Sequence, residues 1–171
     1  MNAVFYIAAL VAVLATAMVI TRANVVHALL YLIVSLLAMA LIFFVLGAPF
    51  VAALEVIIYA GAIMVLFLFA IMTLNLGQHS VVQESQWMRP ASWIGPSLLT
   101  LVLLAELIYV FLSGPAQPAD AALIEPRALG IALFGRYLLA VELVSLLLLA
   151  GMVGAYYLGR HEGPEGPGAP M

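Results

Sequence analysis

The sequence contains no cysteine and no lysine. The first absence excludes disulfides and cysteine-ligated iron–sulfur clusters. The second leaves arginine as the only strong base. Charge of either sign is scarce, at 8% of 171 residues, and the net charge of −3 offers no basic face to a nucleic acid. What is present is apolar: 67% of the residues are hydrophobic. A soluble domain of this length would need far more charge on its surface. The chain therefore reads as an integral membrane protein surrounded by lipid. Its apolar runs are continuous and about 20 residues long, which favours spanning helices over the short alternating strands of a barrel.

The reading is an all-α membrane domain over residues 1–159 with five transmembrane helices, at about 2–20, 25–46, 50–76, 92–112 and 130–158. Residues 2–20 lack the basic flank and cleavage site of a signal peptide and read as a permanent span. The third and fifth spans exceed the roughly 20 residues needed to cross, so they must tilt, kink or protrude. The links at 21–24 and 47–49 are tight, which makes the first three spans an up-down-up unit. Residues 77–91 form a longer polar loop. Pro115, Pro118 and Pro126 interrupt residues 113–129. The tail, 160–171, is rich in glycine and proline and is expected to be a disordered cytoplasmic extension. Arg22, Arg89 and Arg160 fall on one side and Arg127 and Arg136 on the other, which places the N-terminus outside and the C-terminus inside. Trp87 and Trp93 suit an interfacial belt at the inner start of span four.

Ionisable groups inside such spans mark functional sites by default. Span three carries Glu55 and, four residues on, Tyr59, on one helix face. At 1.5 Å per residue they lie about 8 Å and about 14 Å from the outer end, with Tyr59 near the midplane. Ala53, Ala60, Gly61 and Asn75 lie roughly opposite, so span three is expected to be central, with protein on both sides. Two readings of Glu55 stand. A neutral carboxyl could relay a proton through water to the Tyr59 hydroxyl, or it could simply bond a neighbouring helix. Gly61 weakens the helix by roughly 1 kcal/mol relative to alanine. It serves either close packing or a local bulge beside Tyr59.

Span two carries Asn24, His27, Tyr31 and Ser35 with Ala38 on one side, a polar stripe from the inner end to mid-membrane. It could line a hydrated path. Alternatively, His27 caps the interface and Ser35 bonds its own backbone. Span four has Glu106, with Tyr109 and Ser113 assigned to its face. Span five has Glu142, with Ser145, Met152 and Tyr156. His79 and His161 fall in a loop and the tail, so no histidine pair is placed to hold a membrane haem. The glycines of 163–168 follow no strand and form no dinucleotide loop. With no membrane lysine, the chain lacks the Lys/Glu alternation of a complete proton-pumping half-channel. It reads as one part of a larger machine.

The stretch NVVHALLYLIVSLLAMALIFFVLGAPFVAALEVIIYAGAIMVLFLFAIMTLNLG, and above all ALEVIIYAGAIMVLF within it, closely resembles the subunit J family of bacterial respiratory complex I. That family is the counterpart of chain 6 of mitochondrial NADH dehydrogenase. The likeness continues through QWMRPASWIGP and ALFGRYLLAVELVSLLLLAGMV. It implies a five-helix, multi-pass subunit of the bacterial inner membrane, placed among the other membrane-arm subunits of a proton-translocating NADH:quinone oxidoreductase. The chain would hold no cofactor. FMN, iron–sulfur clusters, NADH and quinone would belong to the holoenzyme. The resemblance further implies a π-bulge near Tyr59 whose straightening gates a water path. Tyr59, Gly61, Ile63, Met64 and Val65 would form the gating segment, with Glu55 beside it. Glu106 departs from the family pattern. Two other readings of the residues remain: a subunit of a cation/proton antiporter or membrane-bound hydrogenase, and a purely structural scaffold.

Overall fold

The computed structural model describes residues 2–74, 90–113 and 123–160, and every regular element among them is a helix. They are α1 (Asn2–Thr21), α2 (Val25–Val45), a third span in three pieces, α5 (Pro90–Leu112), α6 (Pro126–Phe134) and α7 (Leu138–Gly159). The three pieces are α3 (Pro49–Leu54), a π-helical segment (Glu55–Ile63) and α4 (Met64–Leu74). Five helical stretches are long and apolar enough to cross a membrane, in agreement with the five spans expected. Asn75, His79, Trp87, Arg89, Pro115, Pro118, His161 and the rest of the tail lie outside the described residues.

Local chemistry sets the ends of these helices. Asn24 is the N-cap of α2, its side-chain oxygen accepting from the amides of Val26 at 2.9 Å and His27 at 3.3 Å. Gly47 closes the turn after α2 with φ of 84°, a left-handed conformation that favours glycine. Pro49 then opens α3 and Pro126 opens α6, first-turn positions at which the missing N–H has no intrahelical role.

The fifth span departs from the expected range of 130–158. Residues 130–134 belong to the separate helix α6, and the span proper begins at Leu138. Between them the Tyr137 amide donates to the Ala132 carbonyl at 3.0 Å, and a Cβ on Gly135 would come within 2.7 Å of the Ile131 oxygen. The over-long apolar run is resolved by a break at glycine.

The chain divides into two compact units, Met1–Glu125 and Pro126–Met171. In the second, α6 packs on α7. In the first, the hub is α2, which contacts α1, the third span and α5. Within Met1–Glu125 the third span lies along one flank of α2, and most of its side chains are exposed. Ala8, Ala12 and Ala15 of α1 meet Ala38 of α2 in the core, small residues that let two backbones approach. Leu103 of α5 completes the same cluster. Trp93 stacks edge-on to His27 with ring centres 6.4 Å apart, and Phe111 lies 6.1 Å from Phe44. The α5 helix therefore runs parallel to α2. Its early turns hug α2 because Gly95 has no side chain; a Cβ there would overlap the Tyr31 hydroxyl.

Candidate functional site

The third span changes its hydrogen-bonding pattern in the middle. Over Glu55–Ile63, nine residues, the backbone is π-helical, with ordinary α-helix on both sides. π-helix is rare, usually a single turn, and concentrated at functional sites. The local sequence accounts for it. Val56, Ile57 and Ile58 are three consecutive β-branched residues, whose side chains crowd the preceding α-turn. Ala60, Gly61 and Ala62 follow and offer little bulk to resist a wider turn. Gly61 fits this backbone closely: a Cβ added to it would lie 3.1 Å from the Val56 carbonyl oxygen, five residues back. At the far end, the Met64 amide is shared between the Tyr59 and Gly61 carbonyls, and regular α-helix resumes.

The wider turn alters which side chains are neighbours. In an α-helix Glu55 would stand directly below Tyr59. With bonds closing at five residues, the position above Glu55 falls between Tyr59 and Ala60. Glu55 is partly buried, while Tyr59 is 50% exposed, among the exposed Val56, Ile57 and Ile58. Ile63 is half-buried, Met64 is buried and Val65 is exposed, so the segment rolls from an open face onto α2 at its end. An apolar groove between α2, the start of the third span and α5 is lined by Val56 together with Phe44, Ala52 and Leu107.

The stripe on α2 is placed otherwise than either expectation for its single residues. Asn24, not His27, is the cap. His27 is 7% exposed, and its Nε2 has no hydrogen-bond partner among the described residues. Tyr31 is 2% exposed, with the Arg22 guanidinium 5.5 Å from its ring centre. Ser35 does not bond its own helix. Its hydroxyl sits 2.8 Å from that of Thr16, and the Ala12 carbonyl accepts from Thr16 at 2.8 Å and from Ser35 at 3.3 Å. The stripe thus faces α1 and α5 inside the bundle.

Glu106 also points inward. It is 7% exposed, and neither carboxyl oxygen has a partner among the described residues. Its companions on the helix are Val102, Leu103 and Val110, which pack into the α1–α2 core. Tyr109, assigned to the same face from sequence, is 62% exposed and turns away, as does Ser113. Glu142 lies in the other unit, where its backbone carbonyl accepts from the Ser145 hydroxyl at 2.8 Å. The three membrane carboxylates therefore occupy three different settings. Sequence reasoning overlooked Thr16 and Gly95. Thr16 was a lone hydroxyl in an apolar run, but Gly95 carried a signal, because a glycine before Pro96 inside a span marks a close approach.

A model of the family described as NADH-ubiquinone/plastoquinone oxidoreductase chain 6 matches residues 15–158. The chain is 55% identical over 162 residues to NADH-quinone oxidoreductase subunit J of Escherichia coli strain K12, covering 95% of this chain and 88% of that protein. It is 56% identical over 166 residues to the subunit J of Pseudomonas aeruginosa, covering 96% and 100%. Against the subunit J of Rhodobacter capsulatus the identity is 39% over 163 residues.

Proposed function

Because the chain belongs to the NADH-ubiquinone/plastoquinone oxidoreductase chain 6 family, we propose that it serves as the membrane-arm subunit J of a bacterial proton-translocating NADH:quinone oxidoreductase, and that its third span gates a water path there. Its five apolar helices make it a multi-pass protein of the bacterial inner membrane. In this reading residues 1–159 form the membrane domain, the N-terminus faces the periplasm and 160–171 are a cytoplasmic tail. The chain holds no redox centre, and electrons pass from NADH through FMN and iron–sulfur clusters to quinone in other subunits.

The observation that carries the gating role is the π segment between two regular helices. Changing its ladder from i→i+5 to i→i+4 removes one residue from a turn. At 3.6 residues per turn, each turn so converted rotates everything beyond it by about 100° and advances it by about 1.5 Å. Val65 would then leave its present face and Tyr59 would swing relative to Glu55. A half-exposed phenol near mid-membrane also calls for a polar partner, because an unpaired hydroxyl in hydrocarbon costs several kcal/mol. That partner would be a neighbouring subunit or an ordered water, which makes the Glu55–Tyr59 face the side turned to the rest of the complex. Glu55 would tune the water beside the switch.

The test is proton pumping by the assembled enzyme in vesicles, with Tyr59→Phe and Gly61→Leu compared with the parent. Pumping should fall further than complex yield in both. Normal pumping in both would remove the gating role and leave a scaffold.

A further inference from the structure

We propose that α1, α2 and α5 enclose a second proton-binding site, at the Glu106 carboxyl, reached by water from the His27 end of the bundle. The side-chain atoms that are buried without a partner among the described residues are His27 Nε2 and both oxygens of Glu106. All three belong to this one bundle. Both residues are more than nine-tenths buried. Buried polar groups in folded proteins are nearly always satisfied by protein or ordered water. Two such residues in one interior mark a place where water or a proton is held.

The groups between them form a graded row. His27, Tyr31 and Ser35 succeed one another every four residues along α2, steps of about 6 Å. All three are buried, and Ser35 meets the Thr16 hydroxyl at 2.8 Å. Glu106 lies five residues before Phe111, whose ring faces Phe44. The parallel course of α5 and α2 therefore sets Glu106 at the height of residues 38–41. That is about 4.5–9 Å beyond Ser35 along the helix axis, a rise one to three waters bridge. At this height Ala8 and Ala38 are fully buried and Ala40 nearly so, beside the buried Leu41. The ionisable groups facing the interior are His27 and Tyr31 from α2 and Glu106 from α5. Among buried residues α1 contributes none; the Thr16 hydroxyl that meets Ser35 belongs to an exposed residue, and Arg22 stacks on the Tyr31 ring.

Proton uptake here converts the Glu106 carboxylate and a hydronium arriving along the water row into the neutral acid and water; release is the reverse. The neutral acid satisfies both oxygens, since it donates one hydrogen bond and accepts others. Nothing in this site uses the third span, so it stands or falls independently of the π segment.

Infrared difference spectroscopy of the full complex in nanodiscs tests it, comparing the parent with Glu106→Gln and with Ser35→Ala. The parent should show a protonated-carboxyl band that Glu106→Gln removes and that shifts on transfer to heavy water. In Ser35→Ala, which retains Glu106, the band should persist but exchange about tenfold more slowly, as expected when one relay step worth roughly 1.4 kcal/mol is lost. Identical parent and Glu106→Gln spectra from mildly acidic to mildly alkaline pH would overturn the site. A band that exchanges equally fast in Ser35→Ala would overturn the route and with it the proposal. A purely structural carboxyl would leave the exchange rate unmoved.

Discussion

The π segment and the α1–α2–α5 core each hold a glutamate and a tyrosine, and they treat the pair in opposite ways. In the segment Glu55 is partly buried and Tyr59 half exposed, on a backbone that has left the regular α ladder. In the core Glu106 and Tyr31 are sealed by alanines and a glycine on regular helices. The first pair is open to a partner outside this chain. The second is enclosed by this chain, and only small mobile species such as water and protons can serve it. A polar group in a membrane protein has two routes to stability, contact with another subunit and internal hydration, and the two proposals assign one route to each region.

The comparison can be broken most forcefully from the core side. Gly95→Leu should collapse the packing of α5 on α2, because even a Cβ overlaps the Tyr31 hydroxyl. Overpacking of this kind costs about 1–3 kcal/mol or more, read as loss of assembled complex on native gels. Gly95→Ala combined with Tyr31→Phe should recover much of the yield. Gly61→Leu should act differently: yield near that of the parent, but proton pumping reduced by about tenfold, the effect of shifting a backbone equilibrium by roughly 1.4 kcal/mol. Tyr59→Phe leaves the backbone alone and removes one hydroxyl, so its pumping defect should be the smaller of the two. Asn24→Ala should lower thermal stability by about 1 kcal/mol through the lost cap, without a pumping defect. Thr16→Val should be mildest, since interhelical hydrogen bonds in membranes average about 0.6 kcal/mol. Equal pumping losses in Asn24→Ala and Gly61→Leu would erase the distinction between the two regions.

The spans were legible in the sequence because each apolar run ends at residues with a definite reason to stop. Asn24 caps, Gly47 turns left-handed and Pro49 restarts, and the boundaries of the first two spans follow within a residue or two. The fifth was misjudged by eight residues, since 130–134 is as apolar as the span and only the backbone requirement at Gly135 separates them. The π segment was invisible to periodicity, which assumes 3.6 residues per turn; Gly61 left a bulge open as one of two readings, and only the resemblance implied a π-bulge. The grouping of Tyr109 with Glu106 on one face fails for a related reason. Three-residue spacing to Tyr109 covers part of a helix face, and the stripe through Val102, Leu103 and Val110 decides which part is buried. Side-chain partners across helices, such as Thr16 with Ser35, leave no mark on either span alone.

The apolar stretch of the third span, Pro49–Thr73, has 25 residues, against 19–22 in the other four. As a regular α-helix it would be about 37 Å long, several ångströms more than a hydrocarbon core of about 30 Å. Wider π turns take up residues as girth instead of length. Straightening the segment would push one end outward, against the surrounding lipid, at a fraction of a kcal/mol per ångström of mismatch. Under the proposed gating, thin membranes would favour the wide form and thick ones the straight form.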